Sequence, residues 1–209
     1  MGAELPPIEN KDALERFFVK YPEVRGKRVV LFLGRIHQVK GCDILVQAFA
    51  KTIQNIQNSQ NIHLVIAGPD QYGLVDGLKE MSNQLGVSDK ITWTGMLSGE
   101  MKWAAFYAAE VLILPSHQES FGIAVAEAVG CGRPVLISNK VSIWREIEAD
   151  NAGWIAEDTV AGCQALLEQW IGTSSENMSL KNQMALNCFN KRFRIEIAAE
   201  SFISKITQG

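Results

Sequence analysis

The sequence predicts an α/β fold, a mostly parallel six-stranded sheet with helices on both faces. Two observations predict it. Short apolar runs alternate along the whole chain with stretches of helical periodicity, which is the pattern of repeated βαβ units. Three of those runs end in Gly, at Gly34, Gly68 and Gly95, and a fourth ends in Pro115-Ser116, so strand ends and loops gather at one sheet edge.

The elements follow in order. "KRVVLFLG" (27–34) is a continuous apolar run, as expected of a strand covered on both faces. "GCDILVQAFAKTIQNI" (41–56) spaces its apolar residues as one face of a helix. "IHLVIAG" (62–68) is a second strand, and a helix follows near Leu74 to Leu85. "KITWTG" (90–95) is a third strand, "GEMKWAAFYAAE" (99–110) a helix, and "VLILP" (111–115) a fourth strand. "PVLIS" (134–138) is the fifth, a short helix surrounds Ile143 to Ile147, and "GWIA" (153–156) is the sixth. Residues 159–207 read as two or three helical pieces, and only the N-terminal dozen residues, with Pro6-Pro7, lack a clear pattern.

The 209 residues suit one domain, with 47% hydrophobic and 21% charged residues. A net charge of -3 argues against nucleic acid as a partner, because a phosphate backbone calls for a basic surface. It leaves room for a small phosphate ligand held by one or two cations. Cys42, Cys131, Cys163 and Cys188 are far apart and fit no CxxC or zinc spacing, which predicts reduced thiols in a cytoplasmic protein. No apolar run approaches the roughly 20 residues of a membrane span, and "MGAELPPIENKD" lacks the basic start and apolar stretch of a signal peptide.

In a parallel sheet, ligands bind outside the carboxyl ends of the strands. Arg35 directly follows the first strand and Lys40 lies five residues on, so both cations reach that crevice. Arg offers a rigid fork to phosphate oxygens and Lys a mobile point charge; taken alone, such a pair also reads as two solvated surface charges. Neither GxGxxG nor GxxxxGK[ST] is present. In "PSHQESFGIAVAEA" (115–128), Ser120 to Ile123 are expected to form the first turn of a helix whose free N–H groups favour an anion. Glu119 precedes that turn and suits the hydroxyls of a neutral group such as a sugar. Glu127 lies among small and apolar residues and calls for a partner; a ribose diol is one, a solvent-facing or salt-bridged Glu the plain alternative. His117 lines the site or makes a structural hydrogen bond. His37, His63 and His117 form no ligand cluster, and there is no Asp-x-Asp motif.

Four stretches in this order, "VLFLGRIHQVKGCDILVQAF", "HLVIAG", "ITWTGML" and "VLILPSHQESFGIAVAEAVGCGRPVLIS" with its E-x7-E pair, resemble the C-terminal nucleotide-sugar-binding domain of the family 4 (group 1) retaining glycosyltransferases. The likeness covers nearly the whole chain. It implies a Rossmann-like α/β/α sandwich, one half of a two-domain GT-B enzyme, with 1–26 as linker and first helix, 27–173 as core and 174–209 as C-terminal helices. The N-terminal acceptor domain is absent from this chain. "MGAELPP" resembles the interdomain linker of the family, so the chain is expected to be part of a protein about twice as long. The last helix (about 195–207) would then cross back toward the missing domain.

The resemblance also implies roles. Arg35 and Lys40, beside Gly34, match the cations that hold the donor diphosphate, and Glu119 the carboxylate by the donor sugar; these three are the implied catalytic residues. Ser120, Phe121, Gly122 and Ile123 match the turn whose amides contact sugar and phosphate, and Glu127 the ribose-binding residue. Gly95 and Met96, with Gly68 and Pro69 nearby, match the loops beside the base. A UDP-hexose such as UDP-glucose is the expected donor, with no metal and no cofactor. The expected location is cytoplasmic, at the inner face of the membrane for a full-length protein with a lipid-linked acceptor. A nucleotide-sugar epimerase or hydrolase of the same architecture, and a non-catalytic nucleotide-sugar-binding module, are the alternatives. A receiver-like domain would need an acidic cluster where this chain has "GRIHQVKG".

Overall fold

The structure, a computed structural model, describes residues 2–56 and 59–195. Six strands form one sheet: β1 (Arg28–Leu33), β2 (Ile62–Ala67), β3 (Ile91–Gly95), β4 (Val111–Leu114), β5 (Val135–Ser138) and β6 (Gly153–Ala156). Their order is β3-β2-β1-β4-β5-β6. The expectation of a mostly parallel sheet is sharpened, since every strand pair is parallel. Consecutive strands therefore need crossovers, which α2 (Cys42–Asn55), α3 (Val75–Gln84), α4 (Gly99–Ala108), α5 (Ile123–Gly130) and α6 (Trp144–Ala149) supply; α1 (Lys11–Lys20) precedes β1, and α7 (Val160–Ile171) and α8 (Ser175–Cys188) follow β6.

Right-handed crossovers decide the layers. The chain steps outward from β1 through α2 and α3 to β3, then returns through α4 to β4 and steps the other way through α5 and α6. The two halves thus cover opposite faces. Accordingly α2 packs on α3 and α7, whereas α1 packs on α4 and α5 on α8. Between them Leu31, Phe32, Val65, Leu112, Ile113 and Leu136 are fully buried, which is why these strands read as unbroken apolar runs.

Two elements depart from expectation. The turn Ser120–Gly122 is not helical; α5 begins at Ile123, because Gly122 adopts a left-handed conformation (φ 77°, ψ 62°) that cannot continue a helix backward. The N-terminal residues are also tied down. Ala3 donates to the Phe193 carbonyl (2.7 Å) and accepts from Ile195 N–H (3.1 Å), and the Tyr107 hydroxyl donates to the Pro7 carbonyl (2.7 Å). After α8 the chain makes one wide π-helical turn, Phe189–Phe193. The helix expected over about 195–207 lies, beyond Ile195, outside the described residues.

The strand order reverses between β1 and β4, and a crevice opens there at the carboxyl edge.

Candidate functional site

The crevice is built from three loops. Beyond β1, Ile36 is buried and donates from its N–H to the Pro69 carbonyl (2.9 Å), which pins the chain just after Arg35. His37 then accepts the Val39 N–H on Nδ1 (3.0 Å) and so caps a short 3-10 turn, Gln38–Lys40, that ends on Lys40. Sequence reasoning treated His37 only as a non-ligand; its capping role could have been found from its place two residues before an unpaired turn amide.

The second loop follows β4. The His117 N–H donates to the Val39 carbonyl (2.8 Å), joining it to the Lys40 turn. The Glu119 backbone is held by the β5–α6 loop: its N–H donates to the Lys140 carbonyl (3.2 Å), and its carbonyl accepts from both N–H (3.0 Å) and Oγ (2.9 Å) of Ser142. The Glu119 carboxylate accepts a hydrogen bond from Lys40 Nζ, in an ion pair whose side chains are only 15% and 18% exposed. Gly122 closes the loop. A Cβ there would stand 3.2 Å from Val141 and 3.3 Å from Val125, so both space and φ favour glycine. No side chain caps α5, and by position the Ile123 and Ala124 N–H groups have no partner within the helix.

The third contribution comes from helices. Glu127 rises from α5 between the buried Ala126 and Ala128. Lys102 reaches it from α4 and donates to Oε1 at 2.7 Å, with side chains 24% and 14% exposed. Lys102 went unnoticed in the sequence because it lies in no motif; a lone cation in the apolar run Met101-Lys102-Trp103-Ala104 was the available signal.

Gly34, Arg35, Lys40, Glu119, Ser120, Phe121, Gly122, Ile123 and Glu127 all line one cavity of about 490 Å³, together with Lys102. Arg35 stands at its exposed rim and donates to Gln71 Oε1 (3.1 Å). Gly68, Pro69, Gly95 and Met96 line a second cleft of about 320 Å³, floored by Ile66 and Trp93. The two meet at Gly34: a Cβ on Gly68 (φ 155°) would lie 1.7 Å from the Gly34 carbonyl oxygen, so the strand ends touch backbone to backbone. His117 faces elsewhere. It lines a neighbouring cavity with His37, Val39 and Leu78, and its Nδ1 bonds Asp158 (2.8 Å), which holds the Asp158 carboxyl below the usual range.

In the main cavity the cations Arg35, Lys40 and Lys102 outnumber the carboxylates Glu119 and Glu127, and the N-terminus of α5 adds its partial positive charge. The arrangement suits a ligand that joins an anionic part to hydroxyl-bearing parts. Among the described residues no three His, Cys, Asp or Glu side chains gather as a metal site, and no helix is long and apolar enough to cross a membrane. The four cysteines are free and buried; burial pushes the thiols of Cys42, Cys131 and Cys188 up to about 12.

Known proteins resemble this chain in sequence and fold. The sequence model described as "Glycosyl transferases group 1" matches residues 15–185. An uncharacterized glycosyltransferase of Methanocaldococcus jannaschii is 31% identical over 149 residues, 69% of this chain and 37% of that protein. The D-inositol 3-phosphate glycosyltransferase of Rhodococcus opacus is 30% identical over 148 residues, 68% of this chain and 33% of that protein. The match therefore covers only about a third of the length of these relatives. Among solved structures, a glycosyltransferase from Rickettsia africae superposes with a TM-score of 0.84 at 16% identity, over 99% of this chain and 55% of that one. Anabaena HepE in complex with UDP and glucose gives 0.79 at 17%, over 95% and 53%. The C-terminal domain of LpcC, a group 1 glycosyl transferase family protein from Francisella tularensis, gives 0.74 at 18%, over 91% of this chain and 95% of that one. At these identities the likeness is one of fold.

Proposed function

Because the chain belongs to the group 1 glycosyltransferases and its fold is one half of the GT-B architecture, we propose that it is the donor-binding domain of a retaining hexosyltransferase. It binds a nucleotide diphosphate sugar, a UDP-hexose such as UDP-glucose in first place, and works with an N-terminal acceptor domain of the same protein. One observation carries this reading. A single cavity at the switch point of the sheet brings together two motif cations, two motif carboxylates and an uncapped helix N-terminus.

Each group has a part. Arg35, Lys40 and the amides of Ile123 and Ala124 take the diphosphate, and Glu119 takes hydroxyls of the sugar. Glu127 takes the ribose, and the cleft at Gly68, Pro69, Gly95 and Met96 takes the base. In transfer, the bond from the sugar's anomeric carbon to the diphosphate breaks and a bond to an acceptor hydroxyl forms on the same face. The acceptor's proton passes to a phosphate oxygen of the leaving group. The charge that develops on the departing diphosphate is met by groups already in place, and each such contact is worth about 2.7–4 kcal/mol of barrier where comparable donors have been removed. This proposal needs no metal and places the enzyme in the cytoplasm, at the inner membrane face if its acceptor is lipid-linked. The UDP and glucose bound by the structural neighbour HepE support a uridine donor.

Calorimetric titration with UDP, GDP and ADP tests it. UDP is expected to bind best, and Arg35→Ala and Lys40→Ala are each expected to weaken it about tenfold or more, the loss of a charge-assisted bond. Binding that is equal for all three nucleotides, or untouched by both substitutions, would contradict the assignment.

A further inference from the structure

Among the described residues, Lys102 is the one charged group lining the main cavity that no motif contains. It is held from two sides. Its Nζ donates to Glu127 Oε1 at 2.7 Å, and it lies 4.0 Å from the centroid of the Trp103 ring. The contact joins α4 to α5 across the cavity wall, at 24% and 14% side-chain exposure.

Glu127 has little else to orient it. On its own helix the residues one turn away are Ile123, Ala124 and Gly130, which carry no hydrogen-bonding side chain, and Cys131, whose thiol is a weak donor. A carboxylate that must accept from two adjacent hydroxyls has to present a fixed plane, and a free Glu side chain loses rotamer entropy when it does so. A cation bonded to one oxygen removes that cost beforehand and leaves the other oxygen, and the remaining lone pairs of the first, available.

We propose that Lys102 is a positioning residue of the donor site: by holding Oε1 of Glu127 it orients the carboxylate toward the ribose diol and sets the preference for ribonucleotides over 2′-deoxyribonucleotides. This rests on the reading of Glu127 as the ribose-binding residue.

The two ideas separate in one titration series. Dissociation constants for UDP and 2′-deoxy-UDP are measured on the unmodified chain and on Glu127→Gln, Lys102→Met and Lys102→Arg. The unmodified chain is expected to prefer UDP about tenfold or more, the worth of one hydrogen bond to a charged group. Lys102→Met is expected to cut that preference to about threefold or less, weakening UDP several-fold more than 2′-deoxy-UDP, which keeps only the 3′-hydroxyl contact, and Lys102→Arg to restore most of the preference. Equal weakening of both nucleotides by Lys102→Met overturns the proposal, because Lys102 would then act on the diphosphate. A preference abolished by Glu127→Gln but kept in Lys102→Met also overturns it, with the reading of Glu127 intact. An unmodified chain with no preference sinks both.

Discussion

Lys40 and Glu119 look, in the sequence, like residues for different parts of a ligand, one for phosphate and one for hydroxyls. The folded chain pairs them with each other. The reason is local: the His37-capped turn and the Ser142-held loop both end at the same wall, and two opposite charges at less than a fifth exposure are better off bonded than apart. A donor must therefore share or exchange that contact. The pair also carries a stability prediction. Lys40→Met leaves the largely buried Glu119 carboxylate without its partner and is expected to cost about 1–3 kcal/mol. Adding Glu119→Gln removes the stranded charge, so the double variant should recover most of the loss. Urea unfolding of the two single variants and the double variant checks it; strictly additive losses would mean the ion pair contributes nothing of its own.

At the scale of elements, β2 and β3 are joined by more than their ladder. His63 on β2 and Thr92 on β3 are both buried, with Nε2 and Oγ1 at 2.8 Å, and the Thr92 hydroxyl donates to Glu23 at 2.6 Å. A hydroxyl has one proton, so the imidazole donates from Nε2 in this chain of bonds. Burial pushes the His63 pKa down, with Lys27 and Lys90 acting in the same direction and Glu23 against. The folded protein thus binds fewer protons than the unfolded chain below the ordinary histidine value of about 6.5. The stability from His63 is fully present above that pH and is lost as pH falls through the lower folded value. Thermal unfolding from pH 7.5 to 5 should show a steeper decline for the natural chain than for His63→Gln; parallel curves would exclude a neutral buried imidazole. Elements like these were legible early. The central strands, covered on both faces, read as unbroken apolar runs, and all six strands lie within about a residue of the ranges expected from the sequence. The start of α5 was not, since Ser-Phe-Gly gives no local sign that Gly122 turns left-handed. Nor was the Lys102–Glu127 bond, because it links two helices whose meeting depends on the whole sheet.

On the scale of the molecule, the helix that carries the site is held by the two ends of the described chain. At its C-terminal end, Gly130 leaves room for Pro6 and Phe189: a Cβ there would stand 2.8 Å from one and 3.0 Å from the other. At its N-terminal end, Phe121 meets Phe193 edge to face, with ring centroids 6.2 Å apart. Phe193 is in turn fixed by the bond from the Ala3 N–H to its carbonyl. The apparently patternless N-terminus and the turn after α8 thus form the back wall of the Gly122 loop. Sequence reasoning missed this because the contacts join positions far apart in the chain, where periodicity carries no information. Phe193→Ala should cost about 3–5 kcal/mol, as for other buried aromatic deletions. It should also weaken nucleotide binding, since Phe121 loses the surface that seats it one residue before the left-handed glycine. Leu166→Ala, a buried deletion on α7 across the sheet, is the control at about 2–5 kcal/mol. Titrated at a temperature where both variants remain folded, Phe193→Ala should bind the preferred nucleoside diphosphate several-fold more weakly than Leu166→Ala. Equal affinities would show that the back wall holds the fold together without shaping the site.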